Sequence, residues 1–204
     1  YPEAKLVCTS KAAQMFAQFY DLDVSERTLV VKEGDKLSTG EHTLHFVLAP
    51  MVHWPEVMVT YDEKDKILFS ADAFGTFGAL AGNIFDDEIT FDDVWMNDAR
   101  RYYTNIVGKY GMQVQNVLKK AAGIDIKMLC PLHGPIWRED LGFILKLYDQ
   151  WSRYEAEEKA VAVFYNSVYG NTESVINAFT MKLAARGVKN IKAYDVSKTD
   201  VSVM

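Results

Sequence analysis

The sequence predicts an α/β protein in two parts, residues 1–156 and 160–204, and three observations predict it. Short apolar runs of strand character alternate along the chain with segments whose apolar residues recur at helical spacing. A charged run, Glu155-Ala156-Glu157-Glu158-Lys159, interrupts that alternation and marks the boundary. Beyond it, Ala160-Val161-Ala162-Val163-Phe164-Tyr165 leads through a short polar loop into an amphipathic segment near Glu173, which reads strand, tight loop, helix.

Taken in order, Lys5-Leu6-Val7-Cys8 is a short strand, and Ser10 is expected to cap a helix carrying Met15, Phe16 and Phe19 on one side. Thr28-Leu29-Val30-Val31 is a second strand, Leu37-Ser38-Thr39-Gly40 a turn, and residues 42–48 a third strand that stops at Ala49-Pro50. Residues 56–61 and 66–70 flank Asp62-Glu63-Lys64-Asp65, a polar link of hairpin length. A glycine-rich loop follows at residues 74–83. Residues 91–122 turn helical, with Asp92 and Asp93 early and Lys119 and Lys120 late, as the helix dipole favours, and Gly108 and Gly111 are expected to break the run. Residues 126–130 form another strand, stopped by Pro131, and 141–155 another helix. After the second part's first helix, residues 190–195 supply its second strand.

The 204 residues are 49% hydrophobic and 25% charged, the balance of a globular protein. A formal net charge of −6 offers no footprint for nucleic acid or an anionic membrane, and neither is expected as a partner. Cys8 and Cys130 form no Cys-x-x-Cys pair, so a disulfide framework is not expected and a reducing compartment is. With no secretory signal and no apolar run of about 18 residues, a cytoplasmic place is expected. The chain opens at Tyr1 almost directly in a strand, which suggests a piece of a longer polypeptide.

Two sets of residues carry chemistry. Ser167-Val168-Tyr169-Gly170-Asn171-Thr172 sits where a helix N-terminus presents free N–H groups and the positive dipole end, so its hydroxyls and glycine suit a phosphate. The loop has neither the triphosphate-loop lysine nor the dinucleotide glycine pattern. The bland reading is an ordinary turn capped by Asn-Thr. The second set is His53 in Val52-His53-Trp54-Pro55-Glu56, Asp72 in Ser70-Ala71-Asp72-Ala73-Phe74-Gly75, and His133 in Cys130-Pro131-Leu132-His133-Gly134-Pro135. Each follows a strand, and strand-end loops converge on one sheet edge, so the three can share a pocket. Two imidazoles and a carboxylate suit iron, zinc or manganese, and a carboxylate can bridge two metals. Singly, a loop histidine is more often structural, and an aspartate before an aromatic often caps a turn.

In this order and with these flanks, the three motifs resemble the later metal-ligand motifs of the metallo-β-lactamase fold. The Ser-x-x-Gly-Asn-Thr-Glu loop resembles the FMN phosphate loop of flavodoxins. Together they resemble the flavodiiron proteins (A-type flavoproteins). The resemblance implies an incomplete metallo-β-lactamase-like αββα sandwich over 1–156, followed over 160–204 by the first βαβ unit of a flavodoxin-like doubly wound sheet. It implies His53 as a ligand of one iron, Asp72 as the carboxylate bridging both and His133 as a ligand of the other, with Ser167 to Thr172 on FMN. The family more often has Asp where this chain has Glu56. His42 and His45 are read as structural, Cys130 as a buried strand-end cysteine rather than a thiolate ligand, and Arg100-Arg101-Tyr102-Tyr103 as a packed helix face without chemistry.

For the parent protein the resemblance implies reduction of dioxygen to water, or of nitric oxide to nitrous oxide, at a non-haem di-iron centre fed by FMN. It also implies a rubredoxin-like electron donor and a head-to-tail homodimer. The family's earlier His-x-Glu-x-Asp-His motif, which supplies four further ligands, does not occur in this sequence, so weak or absent iron is expected in this chain alone, and weak or absent FMN because the family's ring-holding aromatic loops come after the second flavodoxin-like strand. The edge of the second part's first strand is expected to be bare, and that part to associate or be disordered. Two alternatives stay open: a zinc-dependent hydrolase of the metallo-β-lactamase class, and a truncated scaffold without catalysis.

Overall fold

A five-stranded sheet between residues 36 and 130 positions everything of interest in the first of two units of a computed structural model, which describes residues 1 and 3–199. That unit is Tyr1–Glu155, and the second begins at Ala156. The first unit opens with β1 (Leu6–Cys8), α1 (Ser10–Tyr20) and β2 (Thr28–Val30), and β1 and β2 pair in parallel, Leu6 opposite Thr28. Thr9, not Ser10, caps α1: its hydroxyl accepts from the Ala12 N–H at 3.1 Å. The preceding residue, in extended backbone, is the one whose side chain can reach the first helical turn.

β3 (Lys36–Ser38) occupies part of the stretch expected to be a turn. Its three residues pair antiparallel with β4 (Thr43–Leu48), and only Thr39 onward turns, so ladder pairing overrides the local preference of Ser and Lys. β4 pairs with β5 (Met58–Asp62), and β5 with β6 (Ile67–Phe69) across the expected hairpin. β7 (Met128–Cys130) then joins β6 in parallel, Phe69 opposite Cys130, which requires a long crossover.

Helices supply that crossover. α2 (Met96–Tyr102) and α3 (Gly111–Ala121) are separated by a tight turn, Gly108–Tyr110, at the predicted break. Wide π turns at Phe91–Trp95 and Tyr103–Val107 flank α2, a feature the helical pattern did not show. A side chain on Gly111 would run into the carbonyl of Ser152, so glycine there lets α3 close on the end of α4 (Leu141–Ser152). Val59, Leu68 and Leu129 from the sheet pack into one apolar core with Val114 and Ile144 from the helices. Phe74 meets Tyr148 with ring centroids 4.6 Å apart, and Phe91 meets Trp137 at 4.7 Å.

The second unit is β8 (Val161–Tyr165), α5 (Asn171–Ala185) and β9 (Ile191–Asp195), with β8 and β9 parallel and Val161 opposite Ile191. Among the described residues β8 has a partner along one edge only. No helix among them is long and apolar enough to cross a membrane.

Candidate metal centre

Asp72 lies between two imidazoles. His53 Nε2 is 3.2 Å from Asp72 Oδ2, and His133 Nε2 is 3.2 Å from Asp72 Oδ1. The side chain of Asp72 is 15% exposed, against 26% for His53 and 55% for His133, so the carboxylate is the inner member.

Three strand ends create this arrangement. The His53 loop leaves β4 and closes on itself: Ala49 N–H donates to the Val57 carbonyl and Met51 N–H to that of Trp54. Met51 takes a left-handed conformation, φ 65°, and the His53 ring sits edge-on to Trp54 at 6.1 Å. The Asp72 loop leaves β6 through Ala71, φ 53°, and the His133 loop leaves β7. Both are non-glycine residues in a region that L-residues seldom adopt, which functional loops tolerate when their surroundings enforce it.

The last two loops are laced together. Ser70 N–H donates to the Cys130 carbonyl at 3.1 Å, Leu132 N–H to Ala71 at 2.8 Å and Thr76 N–H to His133 at 3.3 Å. A Cβ on Gly75 would meet the His133 carbonyl at 3.0 Å and that of Asp72 at 3.1 Å. Gly134 is left-handed at φ 80°, and a Cβ there would press on Thr76. Two glycines thus permit the backbone approach that holds His133 beside Asp72.

Two imidazoles on opposite oxygens of one carboxylate suit a pair of ions sharing that carboxylate better than one ion held by all three. Three donors leave most positions of such a pair to other groups. Only His42, Asp62 and Asp65, among the described residues, bring three donor atoms within 4.8 Å of one another. That cluster is at the far end of β5. His42 Nδ1 is 2.6 Å from Asp62 Oδ2 and 3.9 Å from Asp65 Oδ2, and with the His45–Glu63 pair at 2.9 Å it forms a hydrogen-bonded hairpin edge. Cys130 is half-buried, and burial pushes its thiol up, away from the thiolate a metal takes.

Tyr102, read from sequence as a packed face, has its ring 5.8 Å from that of His133. Its hydroxyl is buried without a hydrogen-bond partner. Burial first, and the Asp72 charge second, push the phenol well above its ordinary range, so it stands as a neutral donor beside the site. The crossover helix carries it there, and nothing in the local pattern signals it.

In the second unit Gly170 is left-handed at φ 81°, and α5 starts at Asn171 with no side-chain cap at Gly170. Ser167 Oγ accepts from the Glu173 N–H at 3.3 Å, folding the loop over the helix start, while Val168 and Tyr169 are exposed. A helix start behind a left-handed glycine, with the Ser167 hydroxyl beside it, fits a phosphate group.

Comparison with known proteins bears on the family and the fold. The pattern of the ODP family beta lactamase matches residues 1–134. The nitric oxide reductase of Moorella thermoacetica is 32% identical over 201 residues, 98% of this chain and 49% of that protein. The crystal structure of the flavodiiron protein from Giardia intestinalis superposes with a TM-score of 0.88 at 30% identity, covering 98% of this chain and 48% of that one. Rubredoxin oxygen:oxidoreductase from the anaerobe Desulfovibrio gigas gives 0.88 at 27% identity, over 97% and 49%. The chain therefore spans about half the length of the relatives it matches, and its mixed α/β fold is that of their metallo-β-lactamase-like domain.

Proposed function

Because the chain belongs to the flavodiiron proteins, with the ODP β-lactamase pattern over residues 1–134, we propose that it is part of an oxidoreductase that reduces dioxygen to water, nitric oxide to nitrous oxide, or both. The observation that carries the reading is Asp72, whose two oxygens each face a different imidazole at 3.2 Å. In it His53 holds one iron, His133 the other, and Asp72 bridges them, while Ser167, Val168, Tyr169, Gly170, Asn171 and Thr172 hold the FMN phosphate. When bound, the irons supply Lewis acidity and the flavin supplies electrons.

The protein's own residues set the geometry. The laced loops fix the separation of His133 from Asp72, and Trp54 flanks His53. Tyr102, its ring beside that of His133, has a buried hydroxyl free to donate a hydrogen bond. A hydrolase reading leaves the strand, loop and helix after residue 160 without a role. The same proposal takes a rubredoxin-like electron donor, a head-to-tail homodimer and a cytoplasmic place.

A polypeptide carrying the remaining length of the relatives, assayed together for iron, flavin and consumption of both gases, tests it. The expected result is iron and FMN bound in every chain and reduction of at least one gas. Zinc without flavin, or neither iron nor FMN, overturns it.

A further inference from the structure

Glu56, half-buried, carries one carboxylate oxygen with no partner. Its Oε2 is shut off from solvent and takes part in no hydrogen bond, although the residue's own carbonyl accepts from Thr9 Oγ1 at 3.2 Å. A buried, unbonded carboxyl oxygen costs stability on the order of 1–3 kcal/mol. The side chain lines a cavity of about 430 Å³ that it shares with Asp72. Met15 and Phe16 of α1 supply much of the wall, and exposed Phe19, Trp54 and Leu132 bring its rim to solvent. Tyr20, Glu56 and Asp72 are the ionisable side chains on that wall.

The proposed reductions consume protons. Two molecules of nitric oxide take up two electrons and two protons to give nitrous oxide and water, and dioxygen takes up four of each to give two waters. Reduced flavin supplies the electrons, but aromatic walls do not conduct protons. A carboxyl group in the wall does, by giving a proton inward and taking one from hydronium or a buffer acid at the rim.

We infer that Glu56 is the proton carrier of the Asp72 site, passing protons from the cavity to the oxygen atoms being reduced there. The inference rests on the proposed reductase reading. Each proton passed inward is replaced by one from hydronium or a buffer acid in the solvent at the rim, so Glu56 ends each transfer as it began. Thr9 and α1 hold the segment in place through its main chain, which leaves the carboxyl free to move its proton.

The test uses the polypeptide extended to the length of its relatives, with Glu56→Gln, Glu56→Asp and Glu56→Ala. Glu56→Gln is expected to keep wild-type iron and flavin while turnover of the gas falls about tenfold to a hundredfold, the range that general acid–base groups supply. Glu56→Asp recovers most of the rate, and formate or acetate, small enough for the cavity, restores Glu56→Ala. Independently of turnover, the infrared difference between oxidised and reduced protein shows a carboxyl band that shifts in heavy water, and Glu56→Gln abolishes it. Wild-type turnover in Glu56→Gln, loss of its iron, no rescue by small acids, or a band that survives each overturns the inference. A wild-type protein that binds no iron or reduces neither gas sinks the parent reading instead, and this one with it.

Discussion

One methyl group at position 75 measures how tightly the site is drawn together. The Cβ of an alanine there would meet the carbonyls of His133 and Asp72 at 3.0 and 3.1 Å, and both are backbone atoms that cannot swing aside. Either the 70–76 loop or the 130–135 loop has to retreat, and with it the bond from Thr76 N–H to the His133 carbonyl. Gly75→Ala is expected to cost about 1–3 kcal/mol, the usual range for overpacking. It should also weaken metal uptake more than it weakens the fold, because the displacement falls between Asp72 and His133. Urea denaturation and a metal titration on the same variant, made in the polypeptide extended to the length of its relatives, separate the two, and unchanged metal uptake would mean that the lacing does not set the site. Position 72 is legible in the sequence, since an aspartate between a strand and a glycine loop stands out. The need for glycine at 75 is not, because it arises from the neighbouring strand's loop.

Among the elements, the approach to α4 depends on a residue that sequence reading passes over. Asp86 stands in Asp86-Asp87-Glu88, which looks like a solvated acidic run, yet it is 9% exposed. Its carboxylate accepts from the N–H groups of Arg138 at 2.8 Å, Glu139 at 3.3 Å and Asp140 at 2.9 Å. Asp140 then caps α4 by accepting from the Phe143 N–H at 3.0 Å. Arg138 returns to Asp87 at 2.8 Å and lies over the Phe85 ring, so the strap and the helix start are locked from both sides. Hydrogen bonds to a charged acceptor contribute about 1.5–3 kcal/mol each, and removing the acceptor strands buried donors. Asp86→Ala is expected to destabilise the first unit by roughly 2–4 kcal/mol on that scale, with Asp86→Asn intermediate. Equilibrium unfolding followed by the fluorescence of the four tryptophans, all in the first unit, reads this, and a change under about 0.5 kcal/mol, the size of an ordinary surface substitution, would show that the network is incidental. The same distinction governs what was readable elsewhere. Strands and helices with clean periodicity, such as β4 and α3, are legible; Leu37-Ser38 is not, because its strand state comes from pairing with β4. Tyr102 is hidden by the π turns on either side of α2, which shift the helical face away from a 3.6-residue count.

At the level of the molecule, the two units have unequal means of holding themselves together. The first buries Trp137, Tyr148, Leu129 and Ile144 almost completely around a five-stranded sheet. The second has two strands and one helix, and α5 has no buried residue, with Phe164, Val175, Phe179 and Met181 exposed. A two-stranded sheet is marginal in water, and exposed apolar side chains contribute little to its stability. Backbone amides therefore open by different routes: those of β4 and β5 through global unfolding of the first unit, those of β8 and β9 through local opening of the second. Hydrogen exchange at neutral pH is expected to label β8 and β9 at least about a hundredfold faster than β4 and β5, a gap of roughly 2.7 kcal/mol in opening free energy by the tenfold-per-1.4 kcal/mol relation. Adding FMN to the extended polypeptide should slow exchange in Ser167 to Thr172 and the first turn of α5, since a ligand that binds only the folded form stabilises it by mass action. Equal protection of β8 and β5 in this chain would show that the second unit is held by more than its own contacts. Slowing that FMN fails to produce around Gly170 would remove the phosphate cradle from the proposed flavin site while leaving the Asp72 centre to stand on its own geometry.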